Sequence, residues 1–348
     1  KQVDQITTSD FTQVGGDEIY SHDGKDVIVG GGKNDTLSAS EGDQRDIILG
    51  DNGILTFTTL ANGQIDTARL KTVTSTDTSD NTTDNDTITT GAVSDLVAGV
   101  NATDTIHTHA GDDVVAGDNA TAQIDVNIAT DGTASYVLRQ LTSIATSHGQ
   151  RDIIHTYHGS DTVIAGMAND EIVTADGNDI VLGDSGYATF DTSGRLDRIS
   201  SDLTEVGQTV SATDIGGDDD ITTGEGNDIA FGGTGSDFIN VTRSDNSTVS
   251  DSGNDLLVGD NATAHFVDAD GNDTLTTIAF GDGASDSIYT DNGAEVVLGG
   301  DSSDTITTGT DSLRDVVAGD NAGLVFASNG DGRFGTARLG AVTGADAS

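Results

Sequence analysis

"GEGNDIAFGGTGSDFIN", residues 224–240, states one short design twice. A glycine-rich turn ends in an acid, at Asp228 and again nine residues on at Asp237, and a brief apolar stretch follows each acid. Glycine permits the positive φ that a tight turn demands. Branched and aromatic residues suit a short strand. Strand side chains alternate between faces, which turns the aliphatic two places after the acid, Ile239 here, inward.

Outward from this stretch the design fills the chain. Acids recur in groups: Asp17, Asp26, Asp35 and Asp46; Asp86, Asp95, Asp104 and Asp113; Asp152, Asp161, Asp170 and Asp179; Asp219, Asp228, Asp237 and Asp255, with Asn246 in an empty slot; Asp286, Glu295, Asp304 and Asp315. The spacing is nine, with two residues inserted before Asp46 and before Asp315, and the groups start 69, 66, 67 and 67 residues apart. Two nested periods define super-repeats at 1–73 (repeat block 15–53 plus an arm), 74–144, 145–210, 211–280 and 281–348. Each block closes on the same break, "GDNG", "GDNA", "GDSG", "GDNA" and "GDNA", in which Asp51, Asp118, Asp184, Asp260 and Asp320 replace the second glycine of the turn. The break marks where a block gives way to an arm. Its Asp is a candidate ligand in a shifted position or the acceptor of an Asx-type turn bond to its own backbone.

Composition narrows the partners. The chain has 348 residues, 59 acidic and 14 basic, for a formal charge of −45. That excludes nucleic acid and anionic membranes and favours cations. Leu, Ile, Val and Phe make up about 23% of the residues, near the ~20% at which highly charged chains stay disordered. The bare chain therefore needs something to neutralise it. With no cysteine there is neither a disulfide nor a thiolate zinc site, and a hard metal ion is the remaining staple. No apolar run approaches the ~18 residues of a membrane helix. The first residue is Lys1 and no leader is visible, which suggests a processed chain or a piece of a longer array.

"GGTGSDFIN" fits the pattern G-G-x-G-x-D-x-U-x at every fixed position, and "ADGNDIVLGD" and "GGDSSDTIT" come close. The chain thus resembles the RTX family of haemolysin-type calcium-binding nonapeptide repeats. The resemblance implies an all-β fold, a calcium-bound parallel β-roll or β-solenoid, with β-hairpin arms inserted regularly, and it implies export by type I secretion. Some turns depart from the pattern: Lys33 stands at a glycine position, and "AVSD" and "NATD" are looser still.

Calcium takes six to eight oxygen ligands in irregular geometry, which glycine-turn carbonyls and a terminal Asp supply. Two nonapeptides make one coil of a right-handed parallel solenoid, so acids 18 apart share an edge. Asp152 should face Asp170 across one ion and Asp161 face Asp179 across another on the opposite edge; the same rule pairs Asp86 with Asp104, Asp95 with Asp113, and Asp219 with Asp237. The expected ligands are all the grouped aspartates above, and the shifted Asp51, Asp118, Asp184, Asp260 and Asp320 are further candidates. Gly30, Gly177, Gly226, Gly232, Gly233 and Gly235 are the expected sources of turn carbonyls. Multiple calcium ions are the expected cofactor, and binding and folding should be one event.

The segments between blocks read as hairpins. Residues 54–73 alternate around Asn62-Gly63, 324–342 share "TARL" with them, and 123–144 and 187–203 follow suit. They should either project from the roll or widen its coils, with Phe57, Tyr136, Tyr187, Phe190, Phe266 and Phe326 in a satellite core or at contacts between chains. His107, His109, His155 and His158 lack fixed ligand spacing and read as surface residues, and neither GxSxG nor HExxH occurs. The expected function is non-enzymatic: an extracellular or cell-surface structural protein, such as an adhesin stalk or a biofilm-matrix filament, that self-associates or attaches to the surface. Alternatives are the C-terminal secretion module of an RTX toxin or enzyme, and an adhesion module that holds a ligand with its arms.

Overall fold

A computed structural model describes residues 5–8, 15–39, 44–57, 69–76, 84–128, 134–144, 148–208, 216–267, 271–278, 283–328 and 330–344. The fold is all-β and is built on three large stacked sheets, with two further two-stranded ones. Of the large sheets, two are parallel and ten-stranded; the third is antiparallel and eleven-stranded.

The parallel sheets form the roll. One runs from Glu18–Tyr20 and Thr36–Ser38 to Thr305–Thr307, the other from Val27–Val29 and Ile47–Leu49 to Val316–Ala318. The chain alternates between them, one strand per nonapeptide. Between their facing sides lies a column of aliphatics that includes Ile28, Leu37, Ile48, Ile88, Val97, Ile106, Val115, Ile154 and Ile172. These are the residues two places after each acid. Val317 holds the same position but is 49% exposed, because its strand ends the sheet and has no neighbour above it.

The two parallel sheets differ in pattern. Strands of the first read "TIT", "EIV" or "DIT" and bury only the central residue. Strands of the second read "IIL" or "LLVGD" and are buried throughout, as expected for a sheet covered on both faces. Its second face meets the hairpins. Leu49, Ile164, Leu182, Phe231 and Leu298 pack there against Leu55, Phe57, Leu141, Phe190, Leu275 and Phe326.

The arms neither project nor widen the coils. Gly53–Phe57 pairs with Leu70–Ser75, Ala120–Ile128 with Ala134–Ser143, Tyr187–Phe190 with Leu196–Ser200, and Ala322–Ala327 with Leu339–Gly344. A further hairpin that the sequence pattern did not reveal pairs Ala262–His265 with Asn272–Thr277. Successive hairpins then pair with each other, so all arms lie flat along the roll as a single sheet. The Asn62-Gly63 turn lies outside the described residues. The satellite core is therefore a continuous second core as long as the roll, and it contains Phe57, Phe190, Phe266 and Phe326.

One expectation about spacing fails. Asn246 is not an empty acid slot. It sits at positive φ in a small hairpin, Val241–Thr242 with Ser247–Thr248, inserted into a turn of the roll. The insertion moves Asp255 to the edge opposite Asp237, where it stacks on Asp228, 27 residues earlier.

Candidate metal centre

Two columns of acids run along the roll, one on each edge. The first contains Asp17, Asp35, Asp86, Asp104, Asp152, Asp170, Asp219, Asp237, Asp286 and Asp304. The second contains Asp26, Asp46, Asp95, Asp113, Asp161, Asp179, Asp228 and Asp255, followed by Glu295 and Asp315. Along the first, along the second as far as Asp255, and again from Glu295 to Asp315, the backbone N–H of one acid donates to Oδ1 of the acid one coil on. The Asp152–Asp170 and Asp86–Asp104 rungs are 2.7 Å, and the Asp161–Asp179 rung is 2.8 Å. All five pairs expected from the 18-residue spacing are present as rungs. Rungs also cross the arms: Asp35 N–H reaches Asp86 Oδ1 over 51 residues of chain. The blocks are therefore consecutive parts of one roll.

The second carboxylate oxygen decides the chemistry. On the first edge Oδ2 of Asp35, Asp86, Asp104, Asp152, Asp170, Asp219, Asp237, Asp286 and Asp304 is buried with no hydrogen-bond partner. Orphaned buried oxygens are costly and call for an explanation. All but that of Asp170 point at a glycine. A Cβ added to Gly30, Gly50, Gly99, Gly117, Gly183, Gly232, Gly259 or Gly299 would run into such an Oδ2 and into a carbonyl of the next coil. The missing side chain leaves a cradle lined by carboxylate and carbonyl oxygen. An all-oxygen, anionic donor set of this kind fits a hard divalent cation such as calcium.

Electrostatics point the same way. Burial, and then the neighbouring acids, push Asp86 and Asp286 up to about 8, Asp35 to about 6 and Asp46 to about 7. Asp104, Asp152, Asp170, Asp219 and Asp237 lie well above the carboxylate range, chiefly through desolvation. These acids are held where ionisation is costly unless a cation shares the site.

The two edges are not equivalent. Five residues before the acid, the turns of the first edge that lie within a block have Gly30, Gly99, Gly232 and Gly299, with Ala165 as the exception. The second edge has Thr90, Thr108, Thr156, Thr174, Thr223 and Thr290 at that position. The hydroxyls of Thr90, Thr108, Thr156 and Thr174 oppose the upward push of burial on Asp95, Asp113, Asp161 and Asp179. This alternation between glycine-led and threonine-led turns is written in the sequence but is masked by the shared acid.

Of the expected glycines, Gly30 and Gly232 line cradles. Gly233 and Gly235 supply φ values of 119° and 102°, and Gly177 and Gly226 sit so close to carbonyls of the preceding coil that a side chain would collide with them. Asp17 and Asp320 are exposed, each near one end of its sheet.

Four of the break aspartates, Asp51, Asp118, Asp184 and Asp260, are buried among first-edge acids of the following block. Asp184 Oδ1 accepts from Gly217 N–H at 2.9 Å, and its Oδ2 accepts from Thr234 N–H and, at 2.8 Å, from Thr234 Oγ1. Asp118 accepts from Met167 N–H, and Asp260 from Asp301 N–H. These donors belong to the returning chain and to the next coil, so the bonds are not Asx turns. Asp51 is fully buried at the same break.

His107 and His155 are cross-strand neighbours with ring centroids 5.1 Å apart, and Tyr157 packs beside both. His155 meets the other two rings edge-on, and His107 stacks on Tyr157. Asp251, which the nine-residue spacing passes over, lies with Asp228 and Asp255 in a buried cluster whose ligand atoms fall within 4.8 Å of one another.

A profile of the RTX calcium-binding nonapeptide repeat, four copies long, matches residues 20–54, 89–120, 149–172, 155–189, 215–247 and 278–312. The matches cover just over half of the chain and fall mainly on the roll, leaving most of each hairpin between them. A search of the curated proteins finds no match to the chain.

Proposed function

We propose, from the premise that this chain belongs to the RTX calcium-binding nonapeptide repeat family, that it is a non-enzymatic extracellular rod stiffened by calcium. Asp86 with Asp104, Asp152 with Asp170 and their counterparts along both edges would flank the ions, together with the turn carbonyls. The five super-repeats would be the units of construction. One observation carries the reading: first-edge acid rungs cross every arm between blocks, at Asp35–Asp86, Asp104–Asp152, Asp170–Asp219 and Asp237–Asp286, so neutralising the columns stiffens one continuous body rather than a string of modules. In a repeat stack, stability grows through neighbour interfaces, which suits length without a globular core. The chain would be weakly folded where calcium is scarce and fold after export. Among the described residues, the outermost strands of the parallel sheets are Glu18–Tyr20 and Val27–Val29 on one side and Thr305–Thr307 and Val316–Ala318 on the other. Such edges favour end-to-end association.

Calcium titration followed by circular dichroism and small-angle scattering tests the proposal. The expected result is a calcium-dependent gain of β-signal with a rod-like scattering profile. A chain equally β-rich and equally extended in excess chelator would refute it.

A second reading, an adhesion module, is favoured by a groove of about 720 Å³ between the arms and the threonine edge, where Tyr136, Phe190, Asn178, Asn227 and Arg333 meet. Three of the chain's few basic residues, Arg45, Arg195 and Arg333, line it. Binding of a saccharide that is abolished by Tyr136→Ala, with the calcium response unchanged, would support this reading.

A further inference from the structure

We propose that Asp228, Asp251 and Asp255 form a calcium site distinct from the regular ones and tighter than they are, built where the small hairpin interrupts the threonine edge. The inference rests on the reading that the acid columns hold calcium.

A regular rung offers two carboxylates, and this one offers three. Asp228 and Asp255 are successive acids of the edge, and Asp251 comes from the chain returning out of the Val241–Thr248 hairpin. All three are buried, at 1%, 3% and 0% exposure for Asp228, Asp255 and Asp251. Asp228 Oδ2 and Asp251 Oδ1 have no hydrogen-bond partner. Four residues before the acid, the earlier turns of this edge carry His109, Tyr157, Ala175 and Gly224, all at positive φ and none with a carboxylate. One coil on, Asp291 holds the position of Asp251, but it is only partly buried and its Oδ1 accepts from Asn292.

Asp251 is aimed. Asn240 is fully buried beside Thr223. Its Oδ1 accepts from Thr223 N–H at 2.9 Å, and its Nδ2 donates to Thr223 Oγ1 at 3.0 Å and to Asp251 Oδ2 at 2.7 Å. The amide holds one oxygen of Asp251 and leaves the other to the two edge acids. Nearby Arg333 donates to the Asn227 carbonyl at 2.6 Å, and its charge is a minor influence that favours the ionised form of Asp255. The donors are all oxygen and the formal charge is three. Carboxylate count is a principal control of calcium affinity at otherwise similar sites, so this site fills first.

Titration calorimetry of the full chain with calcium tests the inference, using Asp251→Asn, Asp251→Ala and, as a regular-rung control, Asp161→Asn. The wild type should show a tight phase of one ion before the main phase. Both Asp251 variants should weaken that phase by about tenfold or more and leave the main phase unchanged, whereas Asp161→Asn should spare the tight phase. In excess chelator Asp251→Asn should melt higher than the wild type, because it removes one of three crowded acids. An Asp251→Asn isotherm superimposable on the wild type overturns the inference. So does an effect confined to Asp251→Ala, or an equal loss of stability with and without calcium, since either would mean that Asp251 only anchors Asn240. A wild type that takes up no calcium defeats the calcium reading of the columns, and this inference with it.

Discussion

Replacing Asp86 by Asn should have opposite effects with and without calcium. Asp86 is 2% exposed. Its Oδ1 accepts from Asp35 N–H at 2.8 Å, and its Oδ2 faces the cradle between Gly50 and the Gly99 carbonyl. Burial, then the charges of Asp35 and Asp84, raise it from the ordinary 3.8 to about 8. In chelator at about pH 7 the folded chain must keep this group protonated, while the unfolded chain releases the proton. At 1.36 kcal/mol per unit over the ~3 units from 3.8 to 7, that costs on the order of 4 kcal/mol. Asn is neutral in both states, keeps the acceptor for Asp35 N–H, and turns an N–H toward the Gly99 carbonyl. The variant should therefore be more stable than wild type in chelator, by up to about 4 kcal/mol. In saturating calcium it lacks a ligand carboxylate and should be less stable, by ~2–4 kcal/mol. Urea denaturation followed by circular dichroism in both conditions measures the two differences. A variant destabilised equally in both would refute the argument, because Asp86 would then be a structural acceptor and nothing more.

Acid should substitute partly for calcium. The folded-state values of Asp35, Asp179, Asp86 and Asp228, about 6, 7, 8 and 9, all lie above the ordinary 3.8. Their contribution to stability is complete below about pH 4 and is lost as pH rises toward 9; a chelated chain that grows more stable with rising pH contradicts this. Gly99→Ala puts a methyl group into the cradle of Asp104 Oδ2 and against the Gly117 carbonyl of the next coil; it should cost stability in chelator and about 1–3 kcal/mol more in saturating calcium, and equal losses in both would argue against a cradle. Ile172→Ala empties a fully buried position inside the roll and should cost about 2–5 kcal/mol in calcium. Phe326→Ala, in the second core, should cost about 3–5 kcal/mol; melting curves showing less than about 1 kcal/mol would mean that the hairpin sheet is only loosely attached.

The roll was legible because its period is rigid. An acid, and an aliphatic two places on, identify each turn and strand, and Ile154, Val163, Ile172 and Val181 point inward as that rule requires. The hairpin layer was less legible. Its strands range from three to ten residues, and neighbouring hairpins pair through backbone groups that no side-chain pattern records. The buried second face of the middle sheet was visible in principle, since "IIL" and "LLV" are apolar at consecutive positions where "TIT" is not. Asp251 escaped notice because the hairpin before it adds nine residues, the length of one repeat. An insertion of that length leaves the period intact while exchanging the edges, so Asn246 looked like a missing acid and Asp255 looked like the partner of Asp237. The length of the insertion, rather than its composition, concealed the site.

The rungs of the acid columns all point one way. From Asp17 to Asp35 at the start and from Asp286 to Asp304 near the end, the earlier coil gives the N–H and the later coil gives the carboxylate. A stack built this way has a sense of direction, as a screw does. A coil added after the last rung must present carboxylates to waiting N–H groups, and a coil added before the first must present N–H groups to waiting carboxylates. Two rods therefore join only front to back. Meeting front to front sets acid against acid, and meeting back to back sets donor against donor. Any fibre assembled from this chain inherits that arrow, so its two tips are chemically different surfaces and a cap made for one does not fit the other.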